Sequence, residues 1–167
     1  LLVVESLQES ALIFLAGLRD MYLLAEMLQQ KNINYVLLHS QIERSSDPFD
    51  NKEQTVYLAT NIAESSITIP DLNLVICLGK EKYVNNGILS TRDISWASAT
   101  QRAGRTGRTC PGTLIRLYTE ETYQYFDAYY TKYSTQQLSQ IILQLELLNS
   151  EYSTKEILLN LPTPIDE

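Results

Sequence analysis

Cysteine and histidine are almost missing from this 167-residue chain, which carries only Cys77, Cys110 and His39. Two separated cysteines build no disulfide framework and fit a reducing, intracellular compartment. The same shortage leaves no ligand cluster, so no protein-held metal is expected. No apolar run approaches the roughly 20 residues that a membrane-spanning helix needs, and no membrane partner is expected. The opening residues have no charged-then-apolar signal pattern. An excess of basic charge is missing too. The formal net charge is −7, so the surface as a whole does not grip nucleic acid by bulk electrostatics. Contacts through backbone amides and hydroxyls need no such excess and remain open. There is no internal repeat and no low-complexity tract.

What is present is the composition of a globular domain, with 44% hydrophobic and 20% charged residues. The length suits one domain with a real core and a short appendage. Short apolar runs alternate with helical periods. Residues 11–15, 34–38, 55–59, 73–78 and 113–118 read as strands, and the first is apolar enough to be buried on both sides. Residues 18–30 place Leu18, Met21, Leu24, Ala25 and Leu28 on one helical face. Strands separated by helices or long crossovers imply an α/β fold with a parallel sheet covered on both faces. Asn85-Asn86-Gly87 between short apolar runs predicts a β-hairpin within 80–94. A Ser95 cap predicts a helix over 95–103 that ends at Gly104. Two more helices are expected at 119–130 and 135–149. The second carries an apolar stripe of Leu138, Ile141, Ile142, Leu145 and Leu148.

Two segments carry chemistry. The acidic residues lie mainly toward the chain ends, whereas 92–116 holds five arginines and only Asp93 as an acid. Within that stretch runs Gln101-Arg102-Ala103-Gly104-Arg105-Thr106-Gly107-Arg108. Three arginines at a spacing of three, separated by small residues, put guanidinium groups on a helix end that turns at glycine. Each guanidinium is a fixed fork of donors suited to phosphate oxygens, and glycine lets the backbone approach another surface closely. A solvated basic helix end would use the same residues. The second segment is Ala59-Thr60-Asn61-Ile62-Ala63-Glu64-Ser65-Ser66-Ile67-Thr68-Ile69, a strand end running into a turn rich in hydroxyls and amides. Open α/β sheets bind ligands at such carboxyl ends, although a cluster of this kind also serves as an ordinary cap or loop.

Together the two strings resemble the sixth and fifth signature motifs of superfamily 2 helicases, in the form found in DEAH-box ATP-dependent RNA helicases. Residues 11–21 resemble the fourth motif, and Leu38-His39-Ser40 the short motif after the next strand. The resemblance covers essentially the whole chain. It implies a RecA-like C-terminal lobe over 1–130 and, over 131–167, a helical link leading to a winged-helix domain. It also implies that Gln101, Arg105 and Arg108 act on the γ-phosphate and that Ser66, Thr68 and Asp71 line the nucleotide side. Thr60 and Asn61, with Gly17, His39 and Ser40 as lesser contributors, would contact the backbone of single-stranded RNA. The chain contains neither a Gly-x-x-x-x-Gly-Lys-Ser/Thr loop nor an Asp-Glu-x-His string. ATP with Mg²⁺ would therefore be held by an N-terminal RecA-like lobe of the same protein, and this lobe alone would be inactive. A G-patch-type activator is a further partner in the family, and the nucleus is favoured over the cytoplasm.

The chain departs from the family pattern at Pro70, where many members have an acid, and at Cys77, where aspartate is usual. The 39–54 loop and the hairpin are each shorter than the family norm. The same residues admit three other readings. One is a helicase-like scaffold that has lost catalysis, and another is a DNA-directed relative, since backbone contacts do not test for a 2′-hydroxyl. The last is a plain α/β interaction module, which would leave both motifs unexplained.

Overall fold

The computed structural model describes residues 10–39, 54–64, 69–70, 72–85, 87–108, 111–129, 135–147 and 153–159. Among the described residues, seven strands are β1 (Ser10–Phe14), β2 (Tyr35–Leu38), β3 (Val56–Ala59), β4 (Leu72–Cys77), β5 (Lys80–Asn85), β6 (Ile88–Asp93) and β7 (Thr113–Arg116). Five of them form one sheet in the order β2-β3-β1-β4-β7, and every neighbouring pair runs parallel. The expected α/β class with a parallel sheet is what forms. β5 and β6 pair separately as the expected hairpin, with Gly87 in the left-handed region at φ +78°.

The helices are α1 (Leu18–Gln30), α2 (Trp96–Ala103), α3 (Glu120–Gln124), α4 (Thr135–Leu147) and α5 (Thr154–Leu159). The chain divides into two compact units, one of residues 1–82 and 91–129, the other of 83–90 and 130–167. In the second unit, α5 starts on a capping box. The Ser153 amide and hydroxyl both donate to Glu156 Oε2, and the Glu156 amide donates back to Ser153 Oγ.

In the first unit, strand alternation sorts the core into two layers. Leu12, Phe14, Tyr57, Ala59, Val75 and Cys77 point to one face, where Ile94, Ala99 and Phe126 cover them. Ala11, Ile13, Val56, Leu58, Leu74 and Ile76 point to the other, under Met21, Ala25 and Leu28 of α1. Burial on both faces explains why these strands read as continuous apolar runs.

One element is much shorter than the sequence suggests. The 119–130 stretch forms only α3, capped by Thr119, whose hydroxyl accepts from the Thr122 amide at 3.0 Å. The chain then leaves the helix because its carbonyls are needed elsewhere. Asp127 O and Ala128 O accept from the Trp96 and Ala97 amides at 2.8 and 3.1 Å, satisfying two first-turn donors of α2 that no helix can satisfy internally. Phe126 goes into the core by the same turn. In α4 the apolar stripe is also narrower than expected. Ile142 is exposed while Leu138, Ile141 and Leu145 are half-buried, and Leu148 lies outside the described residues.

The turn between β4 and β5 depends on Gly79. Its φ is +74°, and a Cβ there would stand 2.5 Å from Cδ1 of Tyr118. The Tyr118 ring cannot retreat freely, because it packs on Phe126 and Tyr123 at centroid distances of 5.1 and 6.3 Å. Burial, followed by the nearby Cys77 thiol, pushes the Tyr118 phenol up to about 12. Gly79→Ala is therefore expected to destabilise the chain by roughly 2–4 kcal/mol, from left-handed strain plus overpacking. Chemical denaturation of both proteins checks this, and an unchanged midpoint would mean that the turn relaxes freely.

Candidate functional site

The sheet register builds an edge. Leu38 is paired with Ala59, Ala59 with Phe14, Phe14 with Cys77, and Cys77 with Arg116, so the last residues of the five strands stand in one row. The residues just beyond the strand ends are held along that row. The Thr60 amide donates to Leu38 O at 3.3 Å and the Leu15 amide to Ala59 O at 2.8 Å. Thr60, Gly17 and His39 are thereby brought to one sheet edge. Asn61 is exposed and opens the single 3₁₀ turn Asn61–Glu64. His39 is buried, its ring edge-on to Tyr22. Ser40, Ser66, Thr68 and Asp71 lie outside the described residues.

Gly17 has a neighbour that sequence reasoning missed. A Cβ at Gly17 would meet Cγ and Cε of Lys82 at 3.1 and 3.2 Å, so the lysine stem lies across this loop. Its ammonium donates to Thr91 Oγ1 at 2.6 Å at the root of the hairpin. The glycine is needed for close approach, and the approach places a cation at the strand-end edge.

The three arginines do not share one surface, and Arg102, which was not among the expected γ-phosphate residues, is the one turned inward. α2 begins as expected, with Ser95 Oγ accepting from the Ser98 amide at 3.1 Å. It ends at Ala103, and Gly104 is its C-cap. Arg102 is the inward residue of its last turn and is fully buried. Its Nε donates to Glu64 Oε1 at 2.7 Å, and its Nη1 donates to Lys80 O at 3.3 Å and reaches Cys77 Sγ at 3.7 Å. Its guanidinium lies 4.9 Å from the centroid of the Phe14 ring. Ser98 Oγ donates to the second Glu64 oxygen at 2.7 Å. The helical period could have warned of this, since Ser95, Ala99 and Arg102 stand at i, i+4 and i+7 and all three are buried.

Arg105 and Arg108 lie beyond the helix, in a turn rather than on a helical face. Arg105 Nε donates to Gln101 O at 3.3 Å, and Arg108 Nε to Gly104 O at 2.8 Å. The turn is pinned by Thr106, whose hydroxyl donates to Leu72 O at 2.6 Å. Gly112 packs so closely that a Cβ there would collide with Thr106 Oγ1. Gly107 supplies the left-handed residue at φ +74°. The pin is at the amino end of β4, whereas Thr60 and Gly17 follow the carboxyl ends of β3 and β1. Burial and then the Arg108 charge pull the Arg105 guanidinium below its ordinary range, while Glu64 pushes it back up. Two fork-shaped cations thus leave one pinned turn, with Gln101 exposed on the preceding helical turn. Such a pair lowers its own energy by sharing an anion.

The profile of the helicase conserved C-terminal domain matches residues 1–110. The chain belongs to that family, in its DEAH-box branch. It is 41% identical over 115 residues to the probable ATP-dependent RNA helicase DHX37 of Homo sapiens, covering 64% of this chain and 10% of that protein. It is 33% identical over 168 residues to the ATP-dependent RNA helicase DHX33 of Drosophila melanogaster, covering 88% of this chain and 24% of the relative. Among solved structures, the Escherichia coli DEAH/RHA helicase HrpB superposes with a TM-score of 0.75 at 27% identity, over 90% of this chain and 22% of that one. The chain therefore spans between a tenth and a quarter of the length of these relatives. Among the described residues, no helix is long and apolar enough to cross a membrane.

Proposed function

We propose that this chain is the second motor lobe of an ATP-dependent RNA helicase, supplying Arg105 and Arg108 in trans to a nucleotide bound on the first lobe. The observation that carries the reading is the turn pinned by Thr106 to Leu72 O, from which Arg105 and Arg108 both leave just beyond Gln101. Charge that develops on the γ-phosphate during transfer is what such a pair stabilises, and an arginine in this role is worth roughly 10³–10⁵ in turnover. Gln101 faces the same phosphate, while Ser66, Thr68 and Asp71 line the nucleotide on the far side of the 59–69 segment from Thr60. The chain carries neither a Gly-x-x-x-x-Gly-Lys-Ser/Thr loop nor an Asp-Glu-x-His string, so in this reading the first lobe holds the Mg²⁺ that accompanies ATP.

Thr60 and Asn61 contact the sugar-phosphate backbone of single-stranded RNA, with Gly17, His39 and Ser40 contributing along the same edge. Contacts of this kind position the strand without reading its sequence. Closure of the lobes on ATP and reopening after hydrolysis move them along it, which couples hydrolysis to unwinding or to remodelling of an RNA–protein complex. The lobe ends near residue 130, and 131–167 link it to a winged-helix region of the same protein. A G-patch-type activator and a nuclear location complete the reading.

Two expectations test it. The purified 167-residue chain alone turns over no ATP and binds single-stranded RNA weakly, with an affinity that falls only shallowly with salt, because few phosphates are neutralised. A steep salt slope would reveal a basic groove that the reading lacks. In the full-length protein, Thr60→Ala raises the RNA concentration needed for half-maximal ATPase stimulation about tenfold, the scale of one hydrogen bond to a charged group. An unchanged stimulation curve would remove Thr60 from the RNA track.

A further inference from the structure

Arg102 is a buried cation that the nucleotide and RNA contacts do not use. One guanidinium ties together three segments: the 61–64 turn through Glu64, the hairpin root through Lys80 O, and α2, which carries it. Ser98, also on α2, fixes the second Glu64 oxygen, and the Phe14 face confines the guanidinium from the side. Stability alone does not call for this arrangement, because well-packed apolar groups hold a core as well as a buried ion pair does. Arg102 Nη2, moreover, is buried and makes no hydrogen bond to the described residues. The joined segments are also the ones to which the proposed function gives roles. The 61–64 turn comes directly after Thr60 and opens with Asn61, and α2 leads into the Arg105–Arg108 turn. The Glu64 charge reaches Arg105 as well.

We infer that the Arg102–Glu64–Ser98 cluster is a positioning device that couples the nucleotide-facing arginine turn to the strand-end turn that holds RNA. The inference rests on the functional reading above. A planar fork gripping several acceptors moves as one body with them, so a displacement of α2 on closing around nucleotide passes directly to the 61–64 turn. Such coupling between two ligands is a measurable and reciprocal quantity.

The test uses the full-length protein, a single-stranded oligouridine RNA and a non-hydrolysable ATP analogue. RNA affinity is measured with and without the analogue, and the ratio of the two is the readout. In the unmodified protein the ratio departs from one by about fivefold or more. Glu64→Asp withdraws the carboxylate from Arg102, and the milder Ser98→Ala removes one hydrogen bond while keeping the ion pair. In both, the ratio is expected to fall to within about twofold of one, with RNA affinity in the absence of nucleotide retained. The melting temperature falls under either role, but a merely structural one leaves the ratio where it was. A ratio far from one in the unmodified protein that persists in both variants overturns the inference alone. A ratio of one in the unmodified protein overturns the functional reading with it.

Discussion

Arg105→Ala or Arg108→Ala in the full-length protein is expected to cut ATP turnover by about 10² or more. Both side chains leave a turn that is fixed at Thr106 and Gly112, so they are placed before any ligand arrives. Preorganised cations cost nothing to reorient when charge develops, which makes their removal expensive. RNA affinity without nucleotide should change little, because the turn is pinned at the amino end of β4 and the candidate RNA contacts lie along the carboxyl edge. Lysine should rescue poorly, since a point charge does not reproduce two parallel donors. ATPase rates and RNA affinities measured on the same variants decide the matter. Lost RNA affinity with retained ATPase would mean that the two faces are assigned the wrong way round.

The largest effect on stability is expected at the buried pair behind that turn. Glu64→Ala leaves the Arg102 guanidinium charged, desolvated and without its anion, which costs roughly 3–5 kcal/mol. For a chain of this size the melting temperature should fall by on the order of 10 °C. The double replacement Glu64→Leu with Arg102→Met should recover much of that loss, because it removes both charges and fills the space. Thermal unfolding of the three proteins tests the sequence of effects. A double variant no more stable than Glu64→Ala would show that the loss comes from packing and not from the stranded charge.

The fold was legible in the sequence because its strands are buried on both faces. A run such as Ala11–Leu15 has little else it can be, and Asn-Gly marks the hairpin by the same local logic. Helix ends were less legible where tertiary partners compete. The 119–130 stretch has helical composition, yet the carbonyls of Asp127 and Ala128 are spent on the α2 amides, a bond between segments that no local pattern announces. The candidate site was legible as strings and not as geometry. The evenly spaced string put all three arginines on a helix end, but the helix stops at Ala103, so Arg102 lies in the core while Arg105 and Arg108 leave the turn beyond it. Lys82 was invisible for a related reason, since only the folded chain lays its stem across Gly17.

The central claim is that Arg105 and Arg108 act on the phosphate in transfer rather than on bound nucleotide in general. The direct measurement compares the affinity of the full-length protein and its Arg108→Ala variant for ADP with that for ADP plus aluminium fluoride, which mimics the transferring phosphoryl group. Groups that work in the transition state lose affinity for its mimic far more than for the ground state. The account predicts a loss of about 10² or more for the aluminium fluoride complex, with ADP affinity changed by less than about threefold. Equal losses for both ligands, or none for either, would contradict it.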